Sequence, residues 1–176
     1  MDPTVFEYSV MAVLIRKVQI TIQNLEFRMK PNGLKFIFFS AISWLGMPQF
    51  YLLSIIFFSI NDFHVALKLI IAIAAVELFG GFIKIIYPKA RPIPITYKTF
   101  RQKWDAGSFP SIHSARIVAV SAAFMKVYMS APVIIISIIM VLLVGYSRVY
   151  LKKHYLSDVI AGFAMGTLIS VMFFLA

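Results

Sequence analysis

The sequence predicts an all-α integral-membrane helical bundle, five spans preceded by an N-terminal amphipathic interface helix, and three observations carry that prediction. Of the 176 residues, 61% are hydrophobic and 14% charged, with a mean hydropathy of +0.88, which is more apolar side chain than one soluble core of this length can hide. The apolar stretches are long enough to cross a hydrocarbon core of about 30 Å at a rise of about 1.5 Å per residue. The polar residues gather where those stretches end. No low-complexity segment or Ser/Gly-rich linker divides the chain, so residues 1–176 form a single domain, with 1–33 as the interface helix and 34–176 as the bundle.

Residues 5 to 15 are apolar but follow Asp2 and precede Arg16-Lys17, the reverse of the order in a secretory signal. From Met11, the apolar Leu14, Val18, Ile22, Leu25 and Met29 recur at three- and four-residue steps, while Arg16, Gln19, Gln23, Glu26 and Lys30 fall mainly elsewhere. This is an amphipathic helix lying in the interface, with a tilted additional span, six in all, as the alternative. Leu34 to Ile60 is the first full span, and Gly46 and Pro48 kink it. The polar turn Asn61-Asp62 leads into a second span, Val65 to Tyr87. Pro88 ends it, because its ring lacks an N–H and clashes with the carbonyl of Lys84. The stretch from Pro88 to Pro110 is a loop, with Pro92, Pro94 and Gly107 among Lys89, Arg91, Lys98, Arg101 and Lys103. Three more spans follow, Ser111 to Met129, Ala131 to Tyr150 and Tyr155 to Ala176. Spans joined by short turns alternate in direction. The end of the second, the start of the third, the end of the fourth and the start of the fifth therefore lie on one membrane face.

Those four ends carry three polar groupings: Lys84-x6-Arg91-Pro92, Pro110-Ser111-Ile112-His113, and Ser147-Arg148-x5-His154-x3-Asp158. Three cations, two imidazoles, a hydroxyl and a carboxylate suit cleavage of a phosphate ester. Cations hold the phosphoryl oxygens while one imidazole attacks and the other protonates the departing oxygen, a scheme that needs no metal or cofactor. His154 and Asp158 share a helix face, so the carboxylate can reach the ring or cap the helix. Pro110 suits a first helical turn, which aims the amides of Ser111, Ile112 and His113 outward as an anion site or leaves Ser111 as an ordinary cap. The formal charge of +10 favours anionic lipid surfaces and phosphorylated substrates. Nucleic acid is a poor partner, since the basic residues sit between spans. There is no cysteine, no Walker loop, no His-Glu-x2-His site and no dinucleotide fingerprint, and three histidines in separate contexts supply no zinc set.

In order and spacing, these groupings resemble the type-2 phosphatidic acid phosphatase family over roughly residues 70 to 165. The resemblance implies that Lys84, Arg91 and Arg148 bind phosphate with help from Ser111 and nearby amides such as that of Ile112. It further implies that His113 is the acid, His154 the nucleophile, and Asp158 the group that orients His154. Ile112 stands where the family usually has glycine, which bears on how closely that backbone approaches a substrate. The implied activity is metal-independent hydrolysis of a lipid phosphomonoester or diphosphate. Polyprenyl diphosphate and phosphatidylglycerol phosphate are favoured over phosphatidate and the 1-phosphate of lipid A. A non-catalytic lipid-phosphate binder or transporter is the alternative, and retention of both histidines with Asp158 counts against it.

The remaining polar positions read as structural. Lys89, Lys98, Arg101, Lys103, Lys152 and Lys153 are expected to snorkel toward headgroups. Glu77, inside a span, is expected to pair with a cation or bridge helices. Gly162 and Gly166 offer a small-residue face for homodimerisation or for packing within the chain. The excess of Lys and Arg on the site's face would make that face cytoplasmic by charge count. The resemblance implies instead an outward-facing site in a prokaryotic plasma or inner membrane, because charges kept for phosphate corrupt the count.

Overall fold

The structure, a computed structural model, describes residues 33–93 and 107–175. The chain divides into two compact units, Met1–Ile37 and Phe38–Ala176. The expected interface helix, the six-span alternative and the cationic positions 98, 101 and 103 lie outside the described residues.

Six α-helices follow one another: α1 (Gly33–Trp44), α2 (Pro48–Asn61), α3 (Phe63–Ile86), α4 (Ile112–Val127), α5 (Ala131–Tyr150) and α6 (Leu156–Ser170), the last continued by a π-helical turn at Val171–Leu175. No strand occurs among the described residues. The expected kink in the first span is a full break: α1 and α2 meet at 45° around Gly46, and Pro48 opens α2 where its missing N–H costs nothing. Asp62 starts α3 by accepting from the Val65 amide at 3.1 Å. α3 stops at Ile86, just short of Pro88.

Among the described residues, α3, α5 and Leu156–Phe174 are long and apolar enough to cross a membrane, and the bent α1–α2 pair makes a fourth if it is one span. α4, expected as a span, is shorter at 16 residues. It is the central helix, packing on α3, α5 and α6. Its buried face is small, with Ser114, Ala115, Ala119, Ser121 and Ala123, so its neighbours approach closely. Phe58, Leu69, Val76, Val120, Ile169 and Phe174 complete the core. Large side chains such as Leu78, Phe79, Ile135, Leu142 and Leu168 stand exposed around the outside, a surface that only lipid can cover at low cost.

Two features tie the interior. Arg116 of α4 donates to Glu77 of α3 at 2.5 Å and to the Gly46 carbonyl at 3.2 Å, so one guanidinium neutralises an intramembrane acid and satisfies a carbonyl freed by the break. Glycines set the closest approach: a Cβ on Gly162 would lie 2.3 Å from the Ser111 carbonyl oxygen, and one on Gly166 would lie 2.7 Å from that of Ala115. The Gly162–Gly166 face thus packs on α4, the within-chain use that the sequence offered for it.

Candidate active site

Four helix ends converge, and main-chain hydrogen bonds lock them together. After α3, the Lys89 N–H donates to the Tyr87 carbonyl at 2.8 Å, and the Lys89 carbonyl accepts from the Ser108 N–H at 2.7 Å. α5 ends in a Schellman turn: Lys152 N–H bonds to Val149 O at 2.9 Å and Lys153 N–H to Arg148 O at 3.0 Å, with Lys152 at a φ of 52°. The reversal sets His154 directly below Arg148, whose carbonyl also accepts the His154 N–H at 3.2 Å. At the start of α4, the Ser111 amide donates to the Asp158 carbonyl at 2.9 Å.

The resulting site is cationic and buried. Lys84, Arg91, Arg148 and His154 are 4%, 9%, 3% and 2% exposed, too enclosed for side chains that merely reach for solvent. Arg148 donates through Nη1 to Ser43 Oγ at 2.5 Å. His154 Nδ1 lies 2.6 Å from the carbonyl oxygen of Ser108. A carbonyl can only accept, so Nδ1 carries the proton and the Nε2 lone pair is left for chemistry. Burial first, then the charges of Arg148, Arg91 and Lys84, lower the His154 pKa to about 3, against a small opposing push from the Ser108 bond. The ring is neutral at pH 7. The charges of Arg91 and Lys84, from the first sequence grouping, are thus felt at the imidazole of the third.

His113 arrives from the first turn of α4 and packs on the break between α1 and α2, where a Cβ on Gly46 would lie 2.9 Å from its own Cβ. The charges of Arg148 and Arg116 act on it electrostatically. The second grouping therefore joins the other two.

Several sequence expectations need correcting. Asp158 was expected to reach the His154 ring, but its Oδ2 is 3.9 Å from Nδ1, too far for a hydrogen bond. The carboxylate instead accepts from Lys89 Nζ at 2.6 Å, from the Ser108 hydroxyl and from the Tyr155 amide at 2.9 Å, the last capping α6. Lys89 therefore does not snorkel. The Ser111 amide is not open to an anion, being committed to Asp158, and its hydroxyl accepts from Ser114 at 2.9 Å. Ile112 does not crowd the site, because its side chain lies in the core against Gly80, where a Cβ would come within 2.9 Å of it. Ser43, Gly46, Lys89, Ser108 and Arg116 were not picked out from the sequence as parts of the site. The one available hint was that Lys89 falls inside the first grouping.

A helical bundle with apolar, exposed flanks whose ends gather three buried cations and two histidines is the class of architecture that the fold and site define. The chain belongs to the PAP2 superfamily, whose family model matches residues 65–176. It is 32% identical over 110 residues to an undecaprenyl-diphosphatase of Sulfolobus acidocaldarius, a match covering 61% of this chain and 53%, about half, of that relative. Two solved structures share the fold. A phosphatidylglycerolphosphate phosphatase of the transmembrane PAP2 type from Bacillus subtilis superposes with a TM-score of 0.67 at 23% identity, covering 90% of this chain and 84% of that one. Aquifex aeolicus LpxE superposes with a TM-score of 0.69 at 21% identity, covering 89% and 92%.

Proposed function

We propose that this chain is a membrane lipid phosphatase acting through a phosphohistidine, with a polyprenyl diphosphate as the favoured substrate and phosphatidylglycerol phosphate next. The observation that carries the reading is His154: a buried, neutral imidazole with its Nδ1 proton held by the Ser108 carbonyl and three cations beside it. Binding alone needs no such nucleophile, which counts against a non-catalytic binder or transporter. The 32% identity to an undecaprenyl-diphosphatase supports the substrate choice. α4 completes the five-span reading, its short length tolerated because it is surrounded by helices.

Arg91 and Arg148 offer planar forks to the phosphoryl oxygens and Lys84 a point charge. The incoming anion offsets their field, so the His154 lone pair becomes more basic when it is needed. His154 Nε2 attacks phosphorus, the bond to the leaving oxygen breaks with its electron pair, and His113 supplies that oxygen with a proton. His113 then takes a proton from water, whose oxygen attacks phosphorus as the phosphorus–nitrogen bond returns its pair to Nε2. Asp158 secures the turn that carries His154. The lipid tails stay in the bilayer while the headgroup enters from the outer face.

The test separates the two histidines by leaving group, with assays run in EDTA. His113→Ala loses about 10² to 10⁴ in rate toward a lipid phosphomonoester, whose alkoxide leaves poorly, and recovers much of it with an aryl phosphate that leaves unprotonated. His154→Ala is inactive toward both. Equal losses for His113→Ala on the two substrates would remove it from the acid role, and turnover by His154→Ala would end the phosphohistidine reading.

A further inference from the structure

We propose that Lys89 and Ser108 are positioning residues for the nucleophile: Lys89 fixes the Asp158 carboxylate, and Ser108, bonded to that carboxylate, converts the restraint into the orientation of the imidazole. The inference rests on His154 as the nucleophile and adds how its ring is aimed.

Asp158 is fully buried, so its charge must be matched locally. Lys89 supplies the cation at 2.6 Å and also donates to Ser157 Oγ at 2.9 Å, while its ammonium lies 4.6 Å from the Tyr155 ring centroid. Its own backbone carbonyl takes the Ser108 N–H, so Lys89 grips Ser108 through the main chain and, by way of Asp158, through the Ser108 hydroxyl. Held through its amide and its hydroxyl, Ser108 presents its carbonyl to His154 Nδ1 at 2.6 Å. The charges acting on His154 are those of Arg148, Arg91 and Lys84. Lys89 spends its charge on Asp158.

Without the Lys89 ammonium the buried carboxylate has no cation on Oδ1, whose remaining partner is the Ser157 hydroxyl at 3.4 Å, while the Ser108 hydroxyl and the Tyr155 amide stay on Oδ2. The carboxylate shifts, the Ser108 hydroxyl bonded to it moves with it, and the Ser108 carbonyl no longer holds Nδ1 in register, so Nε2 leaves its line of attack. Misplacement on the order of 1 Å costs about 10²-fold in rate. The three phosphate-binding cations are untouched, so the loss falls on kcat and not on KM.

The experiment measures kcat and KM for an aryl phosphate with Lys89→Met, Lys89→Arg, Ser108→Ala and the Lys89→Met/Ser108→Ala pair, beside His154→Ala. Expected are a fall of about 10- to 100-fold in kcat for Lys89→Met with KM within about twofold, and recovery of most of it in Lys89→Arg. The double variant should lose little more than the worse single one, because both residues act through one carboxylate. Unchanged kcat in Lys89→Met, a loss confined to KM, no rescue by arginine, or additive losses in the pair would each overturn the proposal. Should Lys89→Met fail to fold, Ser108→Ala, which keeps the carbonyl and loses only the hydroxyl, decides: unchanged kcat sinks the inference, and reduced kcat at constant KM upholds it. Turnover by His154→Ala would instead fault the functional reading beneath it.

Discussion

His154 shows how one side chain can carry a pH response for the whole protein. Its folded pKa of about 3 lies below the value near 6.5 of an unfolded histidine, so the unfolded chain binds more protons between those limits. The neutral ring's contribution is whole above pH 6.5 and is lost as pH falls from there toward 3. Melting temperatures in detergent should drop between pH 7 and pH 4.5, and His154→Asn should flatten part of that slope; equal slopes would refute the account. Lys84, Arg91, Arg148 and the two histidines were legible in the sequence because their spacing ties each to a helix end. Lys89 and Ser108 were not. Their partner Asp158 lies 69 and 50 positions away, and nothing in a linear pattern distinguishes a lysine that reaches lipid headgroups from one that folds back onto a buried acid.

At the level of helices, small residues determine which faces meet. Ile112 fits at the start of α4 because Gly80 on α3 leaves room for it, and the two should be read as a pair. Gly80→Ala overpacks that contact at about 1–3 kcal/mol, and Ile112→Ala opens a cavity at about 2–5 kcal/mol. Combined, the new methyl fills part of the space the isoleucine vacated, so the double variant should melt above the sum of the single losses. Strict additivity in thermal unfolding would mean that the two side chains do not share the space. Helix limits at Pro48, Asp62 and Pro88 could be read from the sequence, since each breaker acts on its own neighbours. The depth of the break at Gly46 could not, because Arg116, 70 positions away, stabilises it.

For the molecule as a whole, orientation is where charge counting and the outward-facing proposal part. Because the chain has no native cysteine, single cysteines at Lys98 and Asn61 can be labelled in intact cells without background. An outward site requires the cysteine at position 98 to react with an impermeant reagent while that at position 61 is protected. The reverse pattern would place the site in the cytoplasm.

The backbone bonds from Ser108 to Lys89 and from Ser111 to Asp158 have a mechanical consequence. They fasten the ends of α3, α4 and α6 as a bracket at one end of the bundle, whereas farther along α3 and α4 the described helices are held by side-chain packing and by the Arg116–Glu77 pair. In a thicker or thinner bilayer the helices answer the mismatch by leaning. With their tops clamped, the lean is taken up at the far leaflet, and the spacing between the cations and the imidazole does not register which membrane the protein occupies.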